Sequence, residues 1–94
     1  MAKLIDRLNP LTVAKCTKPG YYPDGGRLYL AVKASGAKSW IFRYRFGGRE
    51  REMGLGSVSV FTLAEARERT KEVAKLLADG LDPMAERDRG RAEA

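Results

Sequence analysis

Arg43 and Arg45 are spaced to act together. They lie two residues apart in the stretch KSWIFRYRF, Lys38–Phe46, and in an extended strand residues two apart share a face. Ser39 and Ile41 fall on that face, whereas Trp40, Phe42, Tyr44 and Phe46 fall on the other. The chemistry open to the arginines is recognition rather than bond making. A guanidinium is always charged, and its planar fork of donors matches phosphate oxygens and the edge of guanine. The aromatic face calls for a core, and the arginine face calls for solvent or a polyanion.

Bond-making chemistry has little to work with. The chain has no histidine, which removes His-containing metal sites, Ser-His-Asp and Cys-His arrangements and every histidine acid–base scheme. Its one cysteine, Cys16, cannot build a thiolate zinc cage or an internal disulfide, and it reads as a small packing residue. The glycines between 47 and 56 match neither a P-loop nor GxGxxG and are read as turn formers. Asp24 is read the same way, in the turn-like YYPDGG. An autonomous enzyme is not expected, and no cofactor or metal is implied.

Charge agrees with recognition. The 94 residues carry a net charge of +6, and the excess is uneven. Residues 1–61 hold 11 Lys and Arg against 4 Asp and Glu, while residues 62–94 hold 7 against 8. Such asymmetry points to one basic surface on a nucleic-acid-binding module. Hydrophobic residues make up 44% and charged residues 32%, a globular composition, and no apolar run reaches the roughly 18 residues a membrane helix needs. The start MAKLIDRLNP lacks the apolar centre and cleavage site of a secretory signal. With the lone cysteine, this makes a reducing cytoplasm the expected compartment.

The elements that must position the arginines follow from patterning. Residues 1–9 show weak periodicity and are expected to be mobile or loosely docked. A short helix is expected from Thr12, as N-cap, to Pro19-Gly20. YYPDGG, 21–26, reads as a turn. In 27–34, Leu28, Leu30, Val32 and Ala34 alternate with Tyr29, Ala31 and Lys33, a half-buried strand. Ser35-Gly36-Ala37 is a short loop before the arginine strand, and Gly47-Gly48 is a two-residue hairpin turn leading into a third strand, 49–55. Pairing Phe46 with Arg49 sets Phe42 opposite Met53 and Trp40 opposite Leu55 on one face, with Arg45 opposite Glu50 and Arg43 opposite Glu52 on the other. Pairing Ala34 with Lys38 sets Val32 opposite Trp40 and Leu30 opposite Phe42, and places Arg27 beside Arg45. Thr62-Leu63-Ala64-Glu65 has capping-box spacing, and Leu63, Ala66, Thr70, Val73 and Leu77 recur at helical spacing. One helix over 62–79, stopped by Gly80 and Pro83, is expected to cover the apolar face. Residues 84–94 read as a solvated tail or linker.

The predicted fold is therefore α+β: a three-stranded antiparallel meander packed against one C-terminal helix, with a short N-terminal helix. The candidate DNA-binding residues are Arg43, Arg45, Tyr29, Lys33, Arg27, Lys38, Ile41, Arg49 and Arg51. The strand residues press the outer face into a major groove, and Lys38, Arg49 and Arg51 reach phosphates from the hairpin tips. The same face has a plainer reading, in which Arg43–Glu52 and Arg45–Glu50 are solvated cross-strand pairs.

The stretch 24–83 also resembles the N-terminal arm-type DNA-binding domain of phage and integrative-element tyrosine recombinases. The likeness rests on SGAKSWIFRYR (35–45), Leu55-Gly56, LAEAR (63–67) and GLDP (80–83), in that order along the chain. The resemblance implies a three-stranded sheet with a C-terminal helix that binds arm sites in attachment-site DNA. It further implies partner domains elsewhere in a parent chain, one core-binding and one carrying a catalytic tyrosine. It assigns no catalytic role to Tyr21, Tyr22, Tyr29 or Tyr44. Arg67 matches the LAEAR motif, as a structural salt bridge or a phosphate contact. The expected layout is an N-terminal segment 1–20, an arm-type domain 21–83 and a tail 84–94. The expected function is tethering a recombinase to duplex DNA. A sheet reader of the transcription-factor kind and a protein-interaction module are the alternatives.

Overall fold

Residue type and turn geometry build an antiparallel sheet in the order β1-β2-β3-β4, seen in a computed structural model that describes residues 8–93. The strands are β1 (Gly20–Gly25), β2 (Leu28–Val32), β3 (Lys38–Phe46) and β4 (Arg49–Ser57). Among the described residues the helices are α1 (Pro10–Lys15), α2 (Leu63–Ala78) and α3 (Pro83–Glu93). The fold is α+β as expected, with four strands rather than three and with two helices after the sheet.

The additional strand lies where a turn was expected. Tyr21 pairs with Ala31, Tyr22 with Leu30 and Pro23 with Tyr29. Tyrosine favours a pleated, half-buried surface, and proline is tolerated because β1 is an edge strand that need not donate on both sides. The turn itself is pushed onward to Gly26-Arg27, both in the left-handed region at φ 60° and 73°.

The β3–β4 hairpin follows the expected register from Phe46↔Arg49 through Phe42↔Met53. Gly47 and Gly48, at φ 60° and 78°, supply the two positive angles of a primed turn whose twist matches its strands. Beyond Met53 the pairing departs from expectation. Ile41 pairs with Gly54 and Trp40 with Gly56, so Leu55 is the extra residue of a bulge. Gly56 then lies under the Phe61 ring, which a Cβ at that position would meet at 2.4 Å.

The β2–β3 register also differs. Leu30 pairs with Trp40 and Leu28 with Phe42, two residues away from the expected pairing. The loop is longer than Ser35-Gly36-Ala37: the Lys33 N–H donates to the Ala37 carbonyl at 2.9 Å and the Gly36 N–H to the Lys33 carbonyl at 2.8 Å. A slip of two residues changes partners and preserves faces, because side chains alternate with period two. The same slip places Arg27 beside Arg43 rather than Arg45, with the Arg43 N–H donating to the Arg27 carbonyl at 2.9 Å.

The inner face buries Leu28, Leu30, Val32, Trp40, Phe42, Tyr44, Met53 and Leu55. Helix α2 covers it with Leu63, Ala66, Thr70 and Val73. Its N-terminus has the expected capping box, in which Thr62 accepts from the Glu65 N–H and Glu65 from the Thr62 N–H. Its C-terminus closes with Leu81 N–H to the Leu76 carbonyl and Gly80 N–H to the Leu77 carbonyl, both at 3.0 Å, the paired bonds of a Schellman motif. Helix α1 begins earlier than expected, with Asn9 rather than Thr12 as N-cap and Pro10 at the first turn. Cys16 packs at the edge of the core.

Residues 84–93, expected as tail or linker, continue the chain as helix α3. Asp82 starts it: its carbonyl accepts from the Glu86 N–H at 3.0 Å and its carboxylate from the Met84 N–H at 3.1 Å. The same carboxylate accepts from the Tyr44 hydroxyl and pairs with Arg51, which ties the helix start to the sheet. Of the segment 1–9, residues 1–7 lie outside the described residues. Leu8 is buried, and its N–H donates to Asp24 at 2.8 Å. Among the described residues no helix is long and apolar enough to cross a membrane.

Candidate nucleic-acid interface

Strand alternation sends Tyr21, Tyr29, Ile41, Arg43, Arg45, Glu50 and Glu52 to the face opposite α2. Among the described residues no helix covers that face, and Arg27, Tyr29, Arg43, Arg45, Glu50 and Glu52 are among the residues lining an open concavity of about 610 Å³ there. The sequence placed most of these residues together. The two acids sit where the hairpin register put them.

The two arginines have different surroundings. Arg43 Nε lies 3.3 Å from Glu52 Oε1, with both side chains about two-fifths exposed. The guanidinium carbon lies 5.5 Å from the Tyr21 ring centre and 5.2 Å from that of Tyr29, within cation–π range. The Tyr21 hydroxyl donates to Glu52 Oε2 at 3.3 Å. Arg45 is exposed and, among the described residues, forms no ion pair. The expected Arg43–Glu52 pair is therefore present, whereas Arg45 and Glu50 stand opposite each other without one.

The remaining candidates differ in their surroundings. Arg27 is exposed in the β1–β2 turn, Lys33 in the β2–β3 loop, and Arg49 beside the β3–β4 turn. Ile41 is half-buried opposite Gly54. Lys38 is not a free hairpin-tip cation: its Nζ donates to the carbonyls of Val13 and Ala14 at 2.7 and 3.0 Å, closing the end of α1. Arg51 shares the pleat position of Tyr44 and points to the helix side, where Asp82 holds it. The sequence had no means of assigning partners from α1 or from 80–83 to these two cations.

Asp24 is not a turn residue. It is buried, and its carboxylate accepts from Arg67 Nε and Nη2 at 2.9 Å each and from the Leu8 N–H. Arg67 is therefore a structural salt-bridge partner, fastening α2 to β1 and to the segment before α1.

Sequence reasoning missed Tyr21. The missed signal was a pair of β-forming tyrosines ahead of a two-residue turn and a strand of alternating apolar residues, hidden by Pro23, Asp24 and two glycines.

A family model described as an arm DNA-binding domain matches residues 7–90 of this chain. The chain belongs to the arm DNA-binding domain family. DNA binding in recombination is the family's general role, and the module seen here is a binding domain. The integrase of Enterobacteria phage P4 is 42% identical over 72 residues, covering 74% of this chain and 16% of that protein. The Shigella phage Sf6 integrase and the Escherichia coli K12 prophage integrase IntS are each 39% identical over 67 residues, covering 71% of this chain and 17% of theirs. This arm DNA-binding domain thus spans about one sixth of the length of those integrases.

Proposed function

We propose that this arm DNA-binding domain lays the outer face of its sheet in the major groove of duplex DNA. There it tethers a site-specific recombinase to the arm sites of its attachment DNA. The observation that carries the reading is Arg45: an exposed guanidinium without an ion pair among the described residues, on an uncovered sheet face beside the cradled Arg43. A β structure fits the major groove, and arginines there donate to guanine N7 and O6 or to flanking phosphates. Arg27 and Lys33 leave the same face at opposite ends of β2 and reach the backbone on either side of the groove. Glu52 is already engaged by Arg43 and Tyr21, so it opposes DNA less than a free carboxylate would.

In this proposal the DNA-reading unit is 21–83. The core-binding domain and the catalytic tyrosine belong to other parts of a parent recombinase that works in the cytoplasm.

The test is Arg43→Ala combined with Arg45→Ala, measured by duplex binding and by thermal unfolding. Binding is lost and the melting midpoint is nearly unchanged. Wild-type affinity in the double variant would sink the sheet-face reading. Salt separates DNA from a protein partner, because affinity for DNA falls steeply with salt through counterion release while an apolar protein interface does not.

A further inference from the structure

We propose that Tyr21 is a positioning residue of this face. Together with Glu52 and Tyr29 it presets the Arg43 guanidinium, so that base preference, rather than the general hold on DNA, depends on strand β1. The inference rests on the sheet-face reading above and divides labour between the two arginines: Arg43 reads bases and Arg45 holds the backbone.

A solvent-exposed arginine samples many rotamers, and fixing one on binding costs affinity. Arg43 is already confined. Its Nε is 3.3 Å from Glu52, and its guanidinium carbon stands 5.2 and 5.5 Å from two tyrosine ring centres. Glu52 is confined in turn by the Tyr21 hydroxyl, 3.3 Å from its second oxygen. Strands β1, β2 and β4 therefore converge on one side chain of β3. The ion pair engages Nε and leaves the terminal amino groups for the N7 and O6 of a guanine, where orientation decides whether two bonds form or one. Arg45 has no such cradle among the described residues, and a mobile cation suits phosphate, which carries no sequence information. Glu52 adds selectivity of its own. Its charge repels backbone phosphates wherever Arg43 does not find its base.

The test uses the 94-residue chain. A duplex is first selected from a random-sequence library with the wild type. Affinity for that duplex and for a shuffled duplex is then measured across salt concentrations. Tyr21→Phe, which keeps the ring and removes the hydroxyl, weakens the selected duplex about threefold. Tyr21→Leu, which removes both, weakens it about tenfold. Both leave the shuffled duplex, the salt slope and the melting midpoint as in the wild type. Glu52→Gln weakens the selected duplex and tightens the shuffled one. Arg45→Ala weakens both duplexes alike and makes the salt slope shallower.

Equal losses on both duplexes for the Tyr21 variants, or no loss on either, would overturn the positioning role. So would a wild type that enriches no site. Those outcomes leave the sheet-face reading to its own test, the Arg43→Ala/Arg45→Ala double variant. If Tyr21→Leu fails to fold, Tyr21→Phe decides alone.

Discussion

Arg67 grips Asp24 with two bonds of 2.9 Å, Nε to one carboxylate oxygen and Nη2 to the other. The aspartate side chain is 3% exposed and the arginine 30%. The fork geometry makes this a well-matched, bidentate ion pair. It joins residues 43 positions apart, and through the Leu8 N–H and carbonyl it also holds the segment ahead of α1. Removing Arg67 takes two charge-assisted bonds from a buried carboxylate. Arg67→Ala should lower unfolding stability by about 2 kcal/mol in urea titration. The folded fraction should keep its affinity for duplex DNA, because Arg67 lies away from the outer face.

Trp40 is fully buried, and its indole N–H donates to the Phe61 carbonyl at 2.9 Å. It fixes both the middle of the sheet and the turn that aims α2. Trp40→Ala should cost about 3–5 kcal/mol, enough to unfold a domain of this size, as read by far-ultraviolet circular dichroism. A native melting curve in that variant would contradict the packing described here.

Arg27 occupies a left-handed backbone position, φ 73°, in the β1–β2 turn. A residue with a Cβ is strained there and glycine is not. Arg27→Gly should therefore raise stability by up to about 1 kcal/mol. The same change should weaken duplex binding and make the salt slope shallower by about one unit. Opposite signs on stability and binding would mark a turn residue kept for its charge.

The Tyr44 hydroxyl bond, and after it the Met84 N–H and the charge of Arg51, hold the Asp82 carboxyl below its ordinary value of 3.8 against the opposing effect of desolvation. A lowered folded value means that the unfolded chain binds the proton more readily. The stabilisation is complete above the ordinary value and is lost as pH falls through the folded one. Tyr44→Phe should bring the Asp82 titration back toward the ordinary value, as followed by its carboxyl carbon resonance. Asp82→Asn should flatten the fall of the melting midpoint in acid.

What was legible in the sequence was local. The Gly47-Gly48 turn counts residues between two strands and so sets Arg43 opposite Glu52. The Thr62–Glu65 capping box marks the start of α2 from four consecutive residues. Period-two alternation assigns Trp40 and Phe42 inward and both arginines outward, and those assignments survive even where the β2–β3 partners move by two, because a two-residue slip keeps every side chain on its face.

Tertiary structure alone decided matters of long-range pairing. Whether YYPDG is a turn or a strand depends on finding β2 beside it, and that pairing brings Tyr21 over Arg43. Asp24 becomes a buried carboxylate, and not a turn former, only when Arg67 arrives from α2. Lys38 and Arg51 lose their freedom to carbonyls of α1 and to Asp82, contacts that no spacing rule anticipates. Arg43 and Arg45 are a strand period apart, alike by composition and alternation. They part company because three other strands bring side-chain partners to the first, while among the described residues the second forms no ion pair.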